Sequence, residues 1–366
     1  MQIHEANLKD KKRWNSFIKT HNGSIFHYFE WKDIYELKNW KYIPLLIEND
    51  KSHIFGVLPI VKIGYLGYSK LISLPEGASG GFVLKKGITK DEQSQVVEMF
   101  LNYIGENYSK DCSTFSLRQN LENTDKSASV ETEILDKNGF TPIFNEYTKL
   151  PCTHILNLKK DFESNIWYGL WKKDIRNHIR KANKNGVSVI EDKTLQYKDD
   201  YYKMLSETYK RLGSEPLSLE EFNKRLILFN KNSKVFVAFF KNKPIGFMLC
   251  NYANSTCYAS KMGYYDLARR NHVNNLLMYQ TIKYACENDY KFFEFGLTFA
   301  PSSEAWKNQF MGIKEPLRIY EKRYSIIRYI PEMVIPRVMW MSKNKKYLFK
   351  NWYKILNKKF KNHRDN

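Results

Sequence analysis

The stretch YIPLLIENDKSHIFGVLPIV, residues 42–61, has the pattern of a strand, a polar turn and a second strand that opens at Gly56. A second stretch, KVFVAFFKNKPIGFMLCNY at residues 234–252, repeats this pattern and opens its second strand at Gly246. The two glycines are 190 residues apart. Similar elements in the same order indicate a duplicated unit, although isolated hairpins are common enough to resemble each other by chance.

A helix followed by a strand also recurs. Residues 96–117 (VVEMFLNYIGENYSKDCSTFSL) and 276–296 (LLMYQTIKYACENDYKFFEFG) each place apolar residues at helical spacing before a polar turn and an apolar strand. Each unit would therefore hold an antiparallel hairpin, a long helix and a further strand. The pattern predicts an α+β fold with mixed, mostly antiparallel sheets. We expect the boundary near EYTKLPCTHILNL, residues 146–158, where a strand would bridge the two units.

The positive charge is unevenly distributed. The chain of 366 residues carries a formal net charge of +20, yet residues 1–150 hold 19 basic and 19 acidic side chains. Residues 325–366 hold 11 basic and 2 acidic side chains, a net of +9, and residues 151–324 carry the remaining +11. This distribution predicts an anionic partner for the second half. The alternative is a general bias of the source towards Lys and Asn.

Several classes of protein are not expected. No apolar run approaches the roughly 18–20 residues that span a bilayer. The first residues, MQIHEANLKDKKRW, lack the apolar segment of a signal peptide. The five cysteines are scattered without CxxC spacing, so we expect no metal site and no disulfide framework. Together these features predict a cytoplasmic protein.

The stretch WKKDIRNHIRKANKNG, residues 171–186, predicts a basic amphipathic helix. It should begin near Ser164 or Asn165 and end at Gly186. The residues of its apolar row are Trp171, Ile175, Ile179 and Ala182. Four basic residues repeat every fourth position and form a candidate surface for a polyanion, with a solvated basic face as the alternative: Lys172, Arg176, Arg180 and Lys184.

The C-terminal residues 326–366 predict a separate basic amphipathic tail. One face of the predicted helix is apolar and contains Phe349, Trp352, Leu356 and Phe360. Another face contains Lys350, Lys354, Lys358 and Lys361. Helices of this kind bind anionic membrane surfaces, so we expect peripheral contact with the inner face of the membrane. The alternative is a helix that packs on the body of the protein.

Several segments resemble the Fem-type aminoacyltransferases, which add amino acids to peptidoglycan precursors, and their GNAT acyltransferase relatives. Residues 170–189 (LWKKDIRNHIRKANKNGVSV) resemble the segment that opens the second domain of that family. The other similar segments, in the family's order, are SIFHYFEWKDIYELKNW (24–40), LPEGASGGFVL (74–84), SETYKRLGSEPLSLEEF (206–222), CYASKMG (257–263) and AWKNQFMG (305–312). The resemblance implies two tandem GNAT-like domains, at 1–150 and 151–325, followed by the tail.

The resemblance also implies a groove between the domains that binds a phosphate-bearing cell-envelope precursor. Lys38 would pair with phosphate and Trp40 would pack on the sugar or base. Arg211 would clamp a diphosphate, Tyr258 would point into the groove, and Lys307 would lie near the transferring carbonyl or a phosphate. For Gly80 and Gly81, close approach of the substrate competes with a simple tight turn. Each side chain also has an ordinary structural alternative in core packing or surface ion pairs.

The identity of the acyl donor stays open at this stage. Acetyl-CoA-dependent GNAT domains hold the pyrophosphate on a Gly-rich turn before their long helix, but residues 266–275, DLARRNHVNN, contain no glycine. Arg269 and Arg270 could still bind phosphates through their side chains. We therefore favour aminoacyl-tRNA over acyl-CoA as donor and expect no tightly bound cofactor. Met311 separates Phe310 from the glycine that directly follows it in the family, so the local turn should differ.

The resulting prediction is an acyltransferase that moves an aminoacyl or other acyl group to an amine of a peptidoglycan intermediate or another envelope precursor. One alternative is an N-acyltransferase that uses acyl-CoA or an acyl carrier protein and acts on a surface polysaccharide or sugar nucleotide. A non-enzymatic alternative is a nucleic-acid- or membrane-binding module. No catalytic base can be assigned, since His272 fits an ordinary polar helix residue and Cys250 and Cys257 fit buried strand positions.

Overall fold

The computed structural model describes residues 1–65, 68–77, 79–120, 127–143, 151–298 and 301–330. The strands are β1 Gln2–Glu5, β2 Lys41–Glu48, β3 Ile54–Tyr65, β4 Tyr68–Ser73, β5 Val83–Leu84, β6 Thr114–Arg118, β7 Thr141–Ile143, β8 Cys152–Asn157, β9 Val187–Glu191, β10 Ser233–Phe240, β11 Lys243–Ala253, β12 Thr256–Tyr264, β13 Phe292–Glu294, β14 Ile313–Pro316 and β15 Ile319–Arg323. The helices are α1 Lys11–Thr20, α2 Trp31–Leu37, α3 Lys90–Tyr108, α4 Ser127–Lys137, α5 Lys173–Lys184, α6 Lys198–Arg211, α7 Leu219–Leu228, α8 Asp266–Arg270, α9 Val273–Glu287 and α10 Pro301–Asn308.

The strands form two sheets with the same central topology. The first has the order β1-β2-β3-β4-β6-β15-β7, with β5 beside β3, and the second has the order β14-β8-β13-β12-β11-β10-β9. In the first sheet, three antiparallel strands (β2, β3, β4) precede α3, and β6 then lies parallel to β4. In the second sheet, β10, β11 and β12 precede α9, and β13 lies parallel to β12. The predicted tandem α+β fold is therefore confirmed.

The two glycines that open β3 and β11 serve the same packing purpose. A Cβ at Gly56 would lie 2.8 Å from Val96 and 3.1 Å from Phe100, on α3. A Cβ at Gly246 would lie 2.9 Å from Val273, the first residue of α9. Each glycine therefore lets the long helix of its unit approach the sheet closely, which explains why both occupy the same place in the repeated pattern.

Each sheet is covered on both faces. In the first half, one core contains mainly aromatic residues of α1 and α2, and the other packs α3 and α4 on the sheet. In the second half, α5 and α9 cover one face and α6 and α7 the other. The aromatic core of the first half also includes Phe229, Ala253 and Tyr258 from the second half. The two halves therefore share a buried apolar seam.

The described part of the predicted bridging strand, β8, lies in the second sheet. It pairs there with β13 and β14, while residues 144–150 lie outside the described residues. Strand β15, at 319–323, returns to the first sheet and inserts between β6 and β7. The domain ranges 1–150 and 151–325 remain a prediction, with the qualification that the last strand of the second range lies in the first sheet.

The basic helix begins later than predicted. A π-helix covers Glu163–Tyr168, and α5 begins at Lys173 after an extended Lys172 that makes no side-chain cap. The predicted start at Ser164 or Asn165 is therefore wrong, because the chain turns between the two helices to bury both Trp167 and Trp171. Gly186 follows the helix with a φ of 82°, as predicted.

The tail is only partly visible. Residues 326–330 form a helical turn, and the predicted amphipathic segment beyond them lies outside the described residues. No helix in the described part of the chain combines the length and the apolar character needed to cross a bilayer.

Candidate functional site

The Pro- and Gly-rich loop after β4 is fixed at the seam between the halves. Arg118, at the end of β6, donates hydrogen bonds to the carbonyls of Pro75 and Gly77. Gly77 has a φ of 76°, and a Cβ there would lie 2.3 Å from the ring of Phe26. Only glycine fits this conformation and this contact. The loop therefore presents Glu76 towards the second half in one defined position.

Glu76 is the centre of a charged network that joins the two halves. Its carboxylate lies 3.1 Å from Lys38 Nζ and 3.0 Å from Arg225 Nη2. Glu221, on α7, lies 3.0 Å from Lys38 Nζ and also contacts Arg225. We refer to these four residues, with Arg118 and Lys261, as the seam cluster. It ties the loop and α2 of the first half to α7 and β12 of the second.

The carboxylate of Glu76 stays ionised within this cluster. Burial by itself raises the pKa of Glu76, but the charges of Arg225, Lys261 and Lys38 outweigh burial and hold it well below its ordinary value. Arg225 is only 5% exposed; burial lowers its pKa, and Glu76 and Glu221 more than reverse that effect. Glu76 and Arg225 are therefore both charged at neutral pH.

A bulge in β12 brings Lys261 to the cluster. The register of β11 and β12 shifts between Leu249, which pairs with Lys261, and Cys250, which pairs with Ala259. The extra residue makes Tyr258 and Lys261, three positions apart, point to the same face of the sheet. Lys261 forms no ion pair with any carboxylate that the structure describes, although its charge acts on Glu76.

The cluster has an excess of positive charge. Four bases (Lys38, Arg118, Arg225 and Lys261) face two carboxylates (Glu76 and Glu221), which leaves a net charge of +2. The hydroxyl of Tyr35, on which Glu76, Arg225 and Arg118 act, is buried without a hydrogen-bond partner among the described residues. An excess of two charges beside an unsatisfied hydroxyl is suited to a dianion such as a diphosphate.

Aromatic rings form the wall next to the cluster. Trp40 stacks on Tyr35, with ring centroids 6.1 Å apart, and Lys38 Nζ lies 4.9 Å from the centroid of the Trp40 ring. Arg225 lies over Trp31 at 4.9 Å. Trp40 is half-buried, so part of its ring is open to a ligand. The predicted pair of Lys38 and Trp40 is thus adjacent in the structure, while their role in binding stays a prediction.

Lys307 belongs to a second buried cluster. It is 7% exposed, and its ammonium donates to the carbonyls of Gly296 and Leu297 and to the hydroxyl of Thr298, at 2.6, 3.0 and 2.9 Å. Burial lowers the pKa of Lys307 to about 8, against the opposing effect of Glu294. All three ammonium hydrogens have acceptors, so this lysine holds the loop after β13 in place.

The remaining predicted groove residues occupy different positions. Tyr258 is 2% exposed, packs edge-on against Phe26 at 5.6 Å and pairs in register with Glu294, so it lies inside the seam between the two clusters. Arg211 lies apart at the end of α6, over the ring of Tyr264 at 4.6 Å, and forms no ion pair within the described chain. The structure therefore does not bring Arg211 into the seam cluster.

The atoms that closely approach Gly80 and Gly81 belong to the protein's own backbone. A Cβ at Gly80 would lie 2.7 Å from the carbonyl oxygen of Ser73, and one at Gly81 would lie 2.4 Å from that of Arg118. Gly81 also has a φ of 77°. The fold by itself requires both glycines, so a contact with substrate is not needed to explain them.

The basic face of α5 is not uniform. Arg176 turns inward, where it donates to the carbonyls of Trp167 and Trp171 at 3.0 and 2.6 Å, and Arg180 lies over the ring of Trp167 at 5.7 Å. Lys172 and Lys184 are exposed. The prediction of one solvent-facing row is therefore wrong for Arg176, because the preceding π-helix ends in carbonyls that need a donor.

Two stacked imidazole rings lie beside the turn before α9. His272 has a φ of 53° and its ring stacks on His178 of α5, with centroids 4.5 Å apart. Arg269 and Arg270 are exposed on α8, and Arg269 pairs with Asp266 at 3.6 Å. At the other departure from the family pattern, Met311 has a φ of 63°. Imidazole rings therefore lie beside the turn where a pyrophosphate cradle was considered.

Five members of the seam cluster were missed from sequence: Glu76, Arg118, Glu221, Arg225 and Lys261. Glu76 lies inside a loop that the sequence singled out for its glycines. Glu221 and Arg225 are four apart on α7, a spacing that resembles an ordinary surface pair. Lys261 faces the cluster only because of the bulge, for which the sequence carries no signal.

Comparison with known proteins agrees with this architecture. Residues 171–308 match the family model described as the acetyltransferase (GNAT) domain. The solved structure of FemX superposes with a TM-score of 0.71 at 13% identity, over 91% of this chain and 100% of its own. The chain therefore has the fold of FemX, and the resemblance found in the sequence is confirmed. No curated protein matches the chain by sequence.

Two further structures are similar at full length. L-PGS from Bacillus licheniformis has a TM-score of 0.56 at 10% identity, over 91% of this chain and 97% of its own. The C-terminal domain of a putative lysylphosphatidylglycerol synthetase from Agrobacterium fabrum has a TM-score of 0.55 at 10% identity, over 90% of this chain and 96% of its own. At such identities the likeness concerns the fold alone.

Proposed function

We propose that this protein is an acyltransferase that moves an aminoacyl group from aminoacyl-tRNA to an amine of a phosphate-bearing cell-envelope precursor. The observation that carries the proposal is the seam cluster, with its net charge of +2 and the unsatisfied hydroxyl of Tyr35. It provides a binding site for a diphosphate at the junction of two GNAT-like halves. The Fem-type proteins that the sequence resembles act on precursors of this class.

The chemistry requires positioning more than a dedicated base. An amine attacks the ester carbonyl of the donor, a tetrahedral oxyanion forms, and the tRNA hydroxyl leaves with a proton. In this proposal Lys38, Arg225 and Lys261 hold the diphosphate, and Trp40 packs on the adjacent sugar or base. Lys307 is a positioning residue, because it fixes the loop at 296–298 beside the seam.

Two observations support an aminoacyl donor over acyl-CoA. The turn before α9 contains no glycine, and the stacked rings of His178 and His272 lie beside it. A putative lysylphosphatidylglycerol synthetase, whose name describes an aminoacylated lipid, is among the structural neighbours. The opposing observation is the match of residues 171–308 to a family described as acetyltransferases, which favours acetyl-CoA as the second candidate donor.

A transfer experiment separates these donors. The purified protein is incubated with a mixture of peptidoglycan precursors and one of two donors, either a pool of aminoacylated tRNA or acetyl-CoA. The masses of the products are measured by mass spectrometry. We expect a precursor to gain the mass of an amino-acid residue with the tRNA pool only. Gain of an acetyl group would instead identify acetyl-CoA as the donor. Unchanged precursors with both donors would refute the proposal.

A further inference from the structure

The first half is electrically neutral in sequence but has a basic groove along α1. One hollow, of about 770 Å³, lies between α1 and the segment around Ile54, and its basic lining residues are Lys9, Lys12, Arg13, His21, His53 and Lys85. No carboxylate from the described part of the chain lines it. Basic and acidic residues balance in number over residues 1–150, but the structure concentrates basic residues on this face.

The hollow continues towards the second half. A neighbouring hollow of about 560 Å³ shares Lys9, Lys12 and Ser16 with the first and extends to Lys19. Lys19 in turn lines a third hollow of about 320 Å³ at the seam, together with Lys231 and Lys234. Among the described residues, no acidic side chain lines any of the three. We call this continuous surface the α1 track; it runs from His53 to Lys234.

Most lysines of the track lack an ion-pair partner. Lys9, Lys12, Lys19 and Lys231 form no ion pair with the described residues, whereas Arg13 and Lys234 are held by Glu48 and Glu191. Burial and, after it, the charges of Lys86 and Lys85 lower the pKa of His21 at this end of the track. Unpaired like charges along one helix face repel each other, and a bound polyanion removes that cost.

The shape of the track indicates the kind of polyanion. Lys12 and Lys19 lie on one side of α1, about 10 Å apart at about 1.5 Å per residue, and Lys9 lies in the short turn just before the helix. His53 and Lys85 border the other side of this open, shallow hollow. The phosphates of a polyanion therefore meet bases on both sides of it. At the seam, the side chains of Asn230, Asn232 and Tyr28 offer hydrogen bonds to sugars or bases.

We propose that the α1 track binds the phosphodiester backbone of a nucleic acid. The inference deepens the proposed function, because an aminoacyl-tRNA donor would supply such a backbone, and the track leads to the seam between the halves. It differs from the sequence-based expectation, which placed the polyanion surface on the basic residues of α5 and α8. The binding itself depends on the track's charges and shape and can be measured without any transfer reaction.

The test compares two basic surfaces with equal changes of charge. Binding of fluorescein-labelled bulk tRNA is followed by anisotropy for the full-length protein, for the triple variant Lys9→Glu, Lys12→Glu, Lys19→Glu, and for the α5 variant Lys172→Glu, Arg180→Glu, Lys184→Glu. All six side chains are exposed. We expect the α1 variant to bind at least about tenfold more weakly, and the slope of log affinity against log salt to fall by about two to three. The α5 variant should change affinity less than about threefold.

The opposite results overturn the inference. Unchanged tRNA binding by the α1 variant, or an equal loss with the α5 variant, would remove the track as the binding surface. Binding of a DNA duplex of matched length is measured as well. Equal binding of DNA and tRNA supports recognition of the shared phosphodiester backbone, and weaker binding of DNA supports recognition of RNA. If the α1 variant loses binding only to phosphatidylglycerol vesicles, the track is a lipid surface and the proposal fails. Loss of tRNA binding by the α1 variant together with intact acetyl transfer would support the track as a nucleic-acid surface. The same result would contradict the proposed aminoacyl donor.

Discussion

Lys261 forms no ion pair with a described carboxylate, so its charge is available to a ligand. Arg118, the other cluster base without an ion pair among the described residues, donates instead to the carbonyls of Pro75 and Gly77. We expect Lys261→Gln to raise the KM for the phosphate-bearing acceptor about tenfold or more, because a charge-assisted hydrogen bond contributes about 1.5–3 kcal/mol. The kcat should change little, since the lysine binds rather than reacts. Steady-state kinetics with varied acceptor concentration measure both constants.

Lys243 supplies the control at the residue scale. It is an exposed lysine at the start of β11, and Lys243→Gln removes the same charge away from the cluster. The KM of this variant should match that of the unmodified protein. Equal KM values for the Lys261 and Lys243 variants would mean that Lys261 does not contact the acceptor.

His27 makes stability depend on pH. The residue is fully buried, and its Nδ1 accepts the backbone N–H of Ser24 at 3.0 Å. Burial lowers the pKa of His27 from 6.5 to about 4, so between these values the unfolded chain binds a proton that the folded chain does not. The stabilisation is therefore complete above pH 6.5 and decreases as the pH falls towards 4, by about 3 kcal/mol in total.

This prediction is checked by urea unfolding at a series of pH values. The variant His27→Asn keeps an acceptor for the Ser24 N–H but does not titrate. Its free energy of unfolding should be lower at pH 7 and should change less between pH 6.5 and pH 4 than that of the unmodified protein. Parallel pH profiles for the two proteins would assign the acid sensitivity to other groups, such as Glu76 and Glu48.

At the scale of elements, α5 shows how one basic helix combines two roles. Its apolar row, Ile175, Ile179 and Ala182, is buried as the sequence predicts. Arg176 caps the carbonyls of Trp167 and Trp171, whereas Arg180 is exposed. We expect Arg176→Met to lower the free energy of unfolding by about 1–3 kcal/mol, because two buried carbonyls lose their donor.

The matched substitution on the same helix is Arg180→Met, which removes the same charge from an exposed position over Trp167. It should change the free energy of unfolding by less than about 0.5 kcal/mol. Chemical denaturation of both variants measures the difference. If the two substitutions had equal effects, the cap on the π-helix would contribute no more than an ordinary surface arginine.

At the scale of the whole molecule, β15 fastens the second half to the first sheet. It lies between β6 and β7, so both of its edges are paired. A proline within such a strand removes a ladder hydrogen bond and costs about 3 kcal/mol or more. We expect Lys322→Pro to increase hydrogen exchange in β6 and β7 while the strands of the second sheet keep their protection.

Lys322→Thr is the control at the same position, since threonine keeps the backbone N–H and favours strands. Its exchange pattern should resemble that of the unmodified protein. Hydrogen–deuterium exchange with mass spectrometry resolves the segments separately. Equal protection of β6 in the proline and threonine variants would show that the returning strand does not hold the halves together.

The sequence by itself determined the repeated unit. Alternating and helical hydrophobic periods, with Gly56 and Gly246 at matching positions, depend on local backbone preference and burial, and both properties are encoded residue by residue. They predicted the tandem α+β fold, the apolar row of α5 and the break at Gly186. The sequence predicted the candidate site only in part: Lys38 and Trp40 lie at the seam, and Arg211 does not join the cluster.

Only the tertiary structure decided how charges separated along the chain meet. Glu76, Arg225 and Lys261 are far apart in sequence, and their association depends on the packing of two sheets and on a bulge in β12. The same packing separates the balanced charges of the first half, so that the bases of the α1 track face a hollow that no described carboxylate lines. Sequence patterns record neighbours along the chain, whereas an electrostatic field depends on distances in space.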